Sequence, residues 1–414
     1  MLKVLKLAAR NLARYGRRTL LTTLLIVLGV LAVLLFVSVS GSFKRLIVGQ
    51  ITDSMLGHIE VHHRGYVASI DNLPLNLNMT PAMLAKVDDA LKHMDAVEAW
   101  SPRLKFGAMF SNFTETTSIR LNGIDPAREA ATCPLMLKRF LQGTPDGGLV
   151  ERGKVLIPDI LATGMKIKVG DTVVLVATNL DGSVNGKTFV VQGVLDSVTG
   201  PGGRDGYINV DDARELLRLT EPEVSEIAIR LKNPQKIAAA AAAIRQALAD
   251  ATDKQGRPAL EVHTWDLLTP FASIAAMIDV LTLFIKIMLV GIVLISIMNV
   301  MVMAVYERIR EIGTIAAIGT QPRRILTLFM TEGLLLGVVG AAIGTALSLA
   351  GIYALNAAHI SFNFARQQFT LAPTIGAGDV LLVSVTVIVV AVLASLQPAW
   401  KASRMNPITA LRHV

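Results

Sequence analysis

The sequence predicts an integral membrane α-helical protein: four transmembrane helices, with a large mixed α/β extracytoplasmic domain inserted between helices 1 and 2. Three observations carry this expectation. Thr19–Ser40, Ile287–Tyr306, Gly333–Ala358 and Val380–Trp400 are long apolar runs without a charged residue, each long enough to cross a hydrocarbon core of about 30 Å as a helix. Their spacing is uneven, with one long stretch after the first run and short loops between the others. Lys and Arg cluster beside the runs, and positive segments stay on the cytoplasmic side.

The elements follow in order. Residues 1–18 form a cytoplasmic amphipathic helix, 19–40 the first span, and 41–278 the extracytoplasmic α/β domain with its stalk helices. Residues 279–306 form the second span, 307–324 a cytoplasmic helix, 325–358 the third span, 359–379 a short external loop, 380–400 the fourth span and 401–414 a cytoplasmic tail. Lys3, Lys6, Arg10, Arg14, Arg17 and Arg18 precede the first span. Arg308, Arg310, Arg323 and Arg324 lie between spans two and three, and Lys401, Arg404 and Arg412 follow span four. The loop between spans three and four has only Arg366. Both termini are therefore expected on the cytoplasmic side. The net charge of +8 is explained by this flanking bias and does not point to nucleic acid. The first run is longer than the apolar region of a typical signal peptide, so it reads as a retained span although Ser38-Val39-Ser40 resembles a cleavage site. A single cysteine, Cys133, excludes an intrachain disulfide framework.

In the N-terminal helix Leu2, Leu5, Ala9 and Leu12 recur at helical spacing with the cations on another face, which suits the inner lipid interface. Beyond the first span Phe43, Leu46, Ile47, Ile51 and Met55 keep a helical period, which predicts a stalk. A second stalk, Trp265–Ile278 with Ile274, leads into span two and is entered near Pro270. Between them GHIEVHH (57–63), Ser118–Leu121, Lys154–Pro158 and Ser225–Leu231 read as strands. Asp171–Thr178 and Thr188–Leu195 read as a hairpin around Asp181-Gly182 and Asn185-Gly186. Pro81–Leu91 reads as a helix capped by Thr80, and Asp211–Leu219 and Gln235–Ala249 as two more, the last built on Ala238–Ala243. Two subdomains are expected, with a seam near 120–150.

Candidate chemistry is sparse. His58, Glu60 and His62 alternate on one strand and face one way. They could hold a metal ion; alternating polar residues on a strand more often form its solvated face, and no metal site is assigned. The loop GPGGRDG at 200–206 reads as a turn in preference to an anion cradle. There is no G-x-S-x-G, no H-E-x-x-H, no cysteine pair and no P-loop, so the chain is expected to be a non-catalytic subunit. The spans lack the polar groups of a solute path. Lys286 and Glu332 sit at span edges, where they can snorkel or pair, and Asn299 is the strongest polar group inside. Small residues at Gly333, Gly337, Gly340, Ala341 and Gly344 permit close helix packing, either within the chain or at a dimer seam.

The strongest motif is YERIREIGTIAAIGTQPRRI (306–325). Ile309, Ile312, Ile315 and Ala316 form an apolar stripe beside a charged start, Gly319 ends the helix, and Thr320 can cap the next with Pro322 in its first turn. The series Glu307, Arg308, Arg310, Glu311, Ile312, Gly313, Ala317, Gly319, Arg323, Arg324 and Ile325 resembles the coupling segment of the FtsX/MacB-type ABC transporter permeases. Glu332-Gly333 with its following glycines, the tail PAWKASRMNPITALRHV and the start LAARNLARYGRRTLLT are similar to the same family. In the large domain, GHIEVHHRGY and LIPDILATGMKIKVGDTVVLVAT resemble the MacB-like periplasmic core domain of the lipoprotein-release, LolC/LolE-like branch.

The resemblance implies a permease subunit of mechanotransmission type in a bacterial inner membrane. A cytoplasmic dimer of ABC ATPase subunits, carrying the ATP and Mg, would dock on the 307–319 helix and drive the stalks. No fused ATPase resembles any part of the chain, so the ATPase is expected on a separate partner, and no cofactor on this chain. A second permease, identical or paralogous, membrane lipid and an envelope cargo such as a lipoprotein complete the implied partners. The alternative within the resemblance is an FtsX-like regulatory transducer acting on an external partner such as a cell-wall hydrolase.

Overall fold

The computed structural model describes residues 2–145, 148–197, 201–253, 255–268, 271–364, 367–406 and 410. The chain divides into two compact units, Met1–Leu46 with Ile274–Val414, and Ile47–Ser273.

The first unit contains the apolar helices. Among the described residues four of them, within Thr19–Leu56, Ala272–Glu307, Pro322–Ala357 and Ala377–Ser403, are long and apolar enough to cross a membrane. An amphipathic helix precedes them at Leu2–Arg14. Its inward face is Ala8, with Asn11 and Leu12 beside it, while Ala9 is exposed. This helix packs against the third-span helix; the side chains of Leu2 and Leu5 lie outside the described residues. The first-span helix is continuous from Gly16 to Ile51, and so includes Phe43, Leu46, Ile47 and Ile51. The second runs from Phe271 to Glu307 and includes Ile274; Thr269 and Pro270, the expected entry point, lie outside the described residues. Between the last two spans the loop carries a small hairpin, Ser361–Phe364 with Gln367–Thr370; Arg366 lies outside the described residues.

The glycine stripe packs within the chain. A Cβ on Gly333 would lie 2.5 Å from Ser395 Oγ, and one on Gly337 2.8 Å from Ala391 Cβ, so this half of the stripe admits the fourth span. A Cβ on Gly340 would lie 2.5 Å from Ile26 Cγ2, and one on Gly344 2.7 Å from Val30 Cβ, so the other half admits the first span. Ala341 is buried in the same seam. Small residues let these backbones approach where larger ones would hold them apart.

Among the described residues the second unit has ten strands: β1 Ile59–His63, β2 Val97–Ser111, β3 Thr116–Ile124, β4 Phe140–Gln142, β5 Lys154–Pro158, β6 Thr172–Thr178, β7 Val184–Leu195, β8 Asp205–Asn209, β9 Glu226–Leu231 and β10 Leu260–Thr264. Strands β2, β3, β8, β5, β7 and β6 pair in a closed ring, since β6 pairs with both β7 and β2. Alternate residues point inward, as a barrel requires: Leu104, Phe106 and Phe110 from β2, Ile119 and Leu121 from β3, Val173 and Leu175 from β6 and Phe189 and Val191 from β7 fill its interior. The hairpin turn falls at Asp181-Gly182, where Gly182 has φ +80° and Asp181 Oδ1 accepts from the Ser183 amide at 2.9 Å. Asn185-Gly186 lies within β7 and is not part of the turn.

The other half of β2 belongs to an antiparallel layer ordered β10-β1-β9-β2. One face is apolar: Ile59, Val61, Ile227, Ile229 and Val262 pack under helices Pro81–Lys92 and Ile237–Ala247. Thr80 caps the first, accepting from the Met83 amide at 3.5 Å. The layer and the barrel therefore share β2 and join near Arg103, not at 120–150. Sequence reading missed this because one 15-residue strand serves both halves, with no linker to mark the change.

Candidate functional site

The helix between spans two and three occupies Ile309–Ala317. Gly319 follows with φ +94°, a left-handed position that favours glycine. The next helix starts at Pro322 with Gln321 as its N-cap and no side-chain cap bond, so Thr320 does not cap it. Pro at the first position needs no donor there.

Within the first unit this helix has a buried and an exposed side. Ile309, Ile312 and Gly313 are buried, while Arg310, Glu311, Ile315, Ala317 and Gly319 are exposed with Arg323 and Arg324 beyond them. Ile315 thus leaves the expected apolar stripe. It is 41% exposed and Ile318 is 80% exposed, which puts two branched side chains on the outer face. Glu307 is also exposed.

Arg308 differs from the other charged residues of the motif. It is buried, with Nη1 donating to Glu332 Oε1 at 3.0 Å. Its guanidinium lies 4.2 Å from the centre of the Tyr15 ring, a cation–π distance. Asn11 Nδ2 donates to the same Glu332 oxygen at 3.0 Å, and Tyr15 Oη donates to Glu311 Oε1 at 3.0 Å. The amphipathic helix, the base of the loop helix and the third span are therefore tied by one polar knot. Asn11 and Tyr15 carry no motif that singles them out; the signal available was a carboxylate, Glu332, inside an apolar helix, where burial without a partner is costly. Glu332 is buried and paired, and does not snorkel.

The second unit holds a buried ionic row. Directly paired strand residues share a face: His62 on β1 opposes Glu226 on β9, which opposes Arg103 on β2. The strand face at His58, Glu60 and His62 is buried, not solvated. It is covered by helix Pro126–Thr132, whose Glu129 accepts from Arg103 Nη2 at 2.6 Å and Nε at 3.0 Å. Arg103 Nη1 donates to Glu226 Oε1 at 3.1 Å, and Lys105 Nζ lies 2.7 Å from the same oxygen. The other oxygens of the two glutamates face His62: Nε2 is 3.3 Å from Glu60 Oε2 and 3.5 Å from Glu226 Oε2. Among the described residues, Glu60, His62 and Glu226 could hold a metal ion, with ligand atoms within 4.8 Å of one another.

Charge balance favours a proton there. Three carboxylates (Glu60, Glu129, Glu226) face two cations (Arg103, Lys105), so a single positive charge neutralises the row whereas a dication overshoots beside an arginine and a lysine. Burial alone pushes the His62 imidazole down, but contact with the Glu226 and Glu60 carboxylates overrules it and raises the pKa to about 9. Glu226 moves the opposite way: burial favours its neutral form, and Lys105, His62 and Arg103 hold it ionised, well below the usual carboxylate range.

Comparison with known proteins bears on the family of the chain. Residues 19–247 match the MacB-like periplasmic core domain and residues 283–407 the FtsX-like permease C-terminal domain. The chain is 41% identical over 119 residues to the pyoverdine export ATP-binding/permease protein PvdT of Pseudomonas fluorescens, over 28% of this chain and 16% of that protein. It thus spans only a small part of that relative's length. It is 23% identical over 413 residues to the lipoprotein-releasing system transmembrane protein LolC of Neisseria meningitidis serogroup B, covering 94% of this chain and 92% of that one. The crystal structure of the periplasmic region of MacB from Actinobacillus actinomycetemcomitans aligns with 55% of this chain and 98% of its own, at 12% identity and a TM-score of 0.38. The chain belongs to the FtsX/MacB-type family of ABC transporter permeases.

Proposed function

We propose that this chain is a mechanotransmission permease subunit that couples ATP hydrolysis on a separate cytoplasmic ATPase dimer to movement of an extracytoplasmic domain, residues 47–273. The observation that carries this reading is the two-sided helix Ile309–Ala317. Its base is held by the buried Arg308–Glu332 pair, and its outer face presents Arg310, Glu311, Ile315 and Ile318. A short helix fixed on one side and apolar-plus-charged on the other suits a groove in a partner protein. On this reading the chain places both termini in the cytoplasm, pairs with a second permease and binds no cofactor itself; the ionic row takes a proton, not a metal. Lipoprotein or other lipid-modified envelope cargo is the substrate class, supported by the near full-length similarity to LolC.

The test uses the permease co-purified with its ATPase. Glu311→Lys should uncouple cargo release from hydrolysis, since reversing a charge at a docking surface typically costs a few kcal/mol. Gly313→Pro should do the same by breaking the helix interior, at about 3 kcal/mol or more. Full coupled activity in both variants at normal expression would remove this helix as the docking element.

A further inference from the structure

After Ile51 the first-span helix continues as a π-turn, Thr52–Leu56. Within the second unit this turn is fastened on three sides. Asp53 Oδ1 accepts from Arg230 Nη1 at 2.7 Å, and Arg230 Nε donates to Glu98 at 3.0 Å. The Ser54 carbonyl accepts from Arg139 Nη1 at 3.3 Å. The Thr52 carbonyl accepts the Cys133 thiol at 3.8 Å, and that sulfur accepts from Arg103 Nη2 at 3.1 Å.

Arg230 and Arg139 hold the turn directly, and Arg103 reaches it through the Cys133 sulfur. The Arg103 guanidinium faces Glu129 with two nitrogens and Glu226 with the third. Its backbone pairs with Glu226 of β9 on one edge and Ile124 of β3 on the other, so it stands where the layer ends and the barrel begins. Glu129 and Cys133 lie on and just after the helix that covers this junction. The planar fork of arginine can satisfy several acceptors in fixed directions, which an ammonium cannot.

We propose that Arg103 is a positioning residue: it locks the layer to the barrel through Glu226 and Glu129, and orients Cys133 against the Thr52 carbonyl, so that displacement of the Thr52–Leu56 turn moves the layer and the barrel as one body. This role rests on the mechanotransmission reading above. The clamp itself can be tested without that reading, because it concerns a distance within the second unit.

The experiment is pulsed electron-spin distance measurement on the full-length chain, purified and reconstituted in lipid. Spin labels are placed at His93, exposed beside the layer helix, and Thr114, exposed at the barrel's β2–β3 turn. Cys133 is buried and its thiol is pushed up to about 12 by that burial, so it does not compete for label. The native chain should give one narrow distance distribution, the same with and without the ATPase and ATP. Arg103→Lys should broaden or split it, and should lower cargo release per ATP hydrolysed while ATPase activity persists. Glu129→Gln, which weakens one arm only, should broaden it less and serves if Arg103→Lys does not fold. A distribution as narrow as native in these variants would overturn the clamp. A broadened distribution with no ATPase coupling in the native complex would uphold the clamp and defeat the mechanotransmission reading instead.

Discussion

Arg308 Nη1 sits 3.0 Å from Glu332 Oε1, with both side chains buried. The pair joins the start of the loop helix to the third span, and Asn11 brings in the amphipathic helix by sharing the same carboxylate oxygen. A desolvated pair of this kind contributes little net stability compared with apolar residues of the same shape, yet losing one partner strands a charge. Its value is geometric: it fixes where the loop helix starts.

Breaking the pair from one side should therefore be costly. Arg308→Met or Glu332→Leu alone should lower stability by about 3–5 kcal/mol, read as a lower melting temperature in detergent. The double variant should recover much of that loss, since no charge is left unpaired. If the double variant melts as low as the worse single one, the pair is not the tie between these elements.

Helix packing gives an independent prediction. Gly344→Ala places a Cβ 2.7 Å from Val30 Cβ and 3.1 Å from the Val27 carbonyl oxygen. Backbone cannot yield as a side chain does, so overpacking should cost about 1–3 kcal/mol. Val30→Ala in the same chain should restore part of it. An unchanged melting temperature in Gly344→Ala would mean the first and third spans do not pack at this seam.

The legibility of the sequence divides along these lines. Apolar runs, the Gly319 stop and the alternation in β6 and β7 are local signals with a period or a required conformation, and they locate spans, loop helix and hairpin. Glycines were visible as small residues, but only the structure assigns Gly333 and Gly337 to the fourth span and Gly340 and Gly344 to the first. The Arg103–Glu226–His62 row was not legible. Its members come from three strands far apart in sequence, and Glu60 and His62 read as a wet strand face because nothing local announces helix Pro126–Thr132 above them. Arg308 reads as a surface charge for the same reason: Glu332, which buries it, lies beyond the loop.

Stability of the large domain should depend on pH through His62. Its imidazole has a pKa of about 9 folded against 6.5 as the ordinary value. A group bound more tightly to its proton when folded stabilises the fold fully below 6.5 and loses that contribution as pH rises towards 9. Denaturant midpoints should fall between pH 6.5 and 9, and His62→Asn should flatten that slope while lowering stability at pH 6. An equally steep slope in His62→Asn would assign the dependence to another group.

Orientation can be read with an impermeant thiol reagent on intact cells. A cysteine introduced at Ser183 should label from outside, and one at Gln321 only after permeabilisation, because the Lys/Arg-rich segments stay inside. Labelling of Gln321 in intact cells would invert the proposed arrangement.

The central claim is that the exposed face of the Ile309–Ala317 helix seats on a soluble ATPase. A photo-crosslinking amino acid in place of Ile318, which is 80% exposed, reports on that contact in living cells. Mass spectrometry should find an ABC ATPase subunit joined to this position. Crosslinks to lipid or to this chain alone, with the ATPase present in the same cells, would contradict the account.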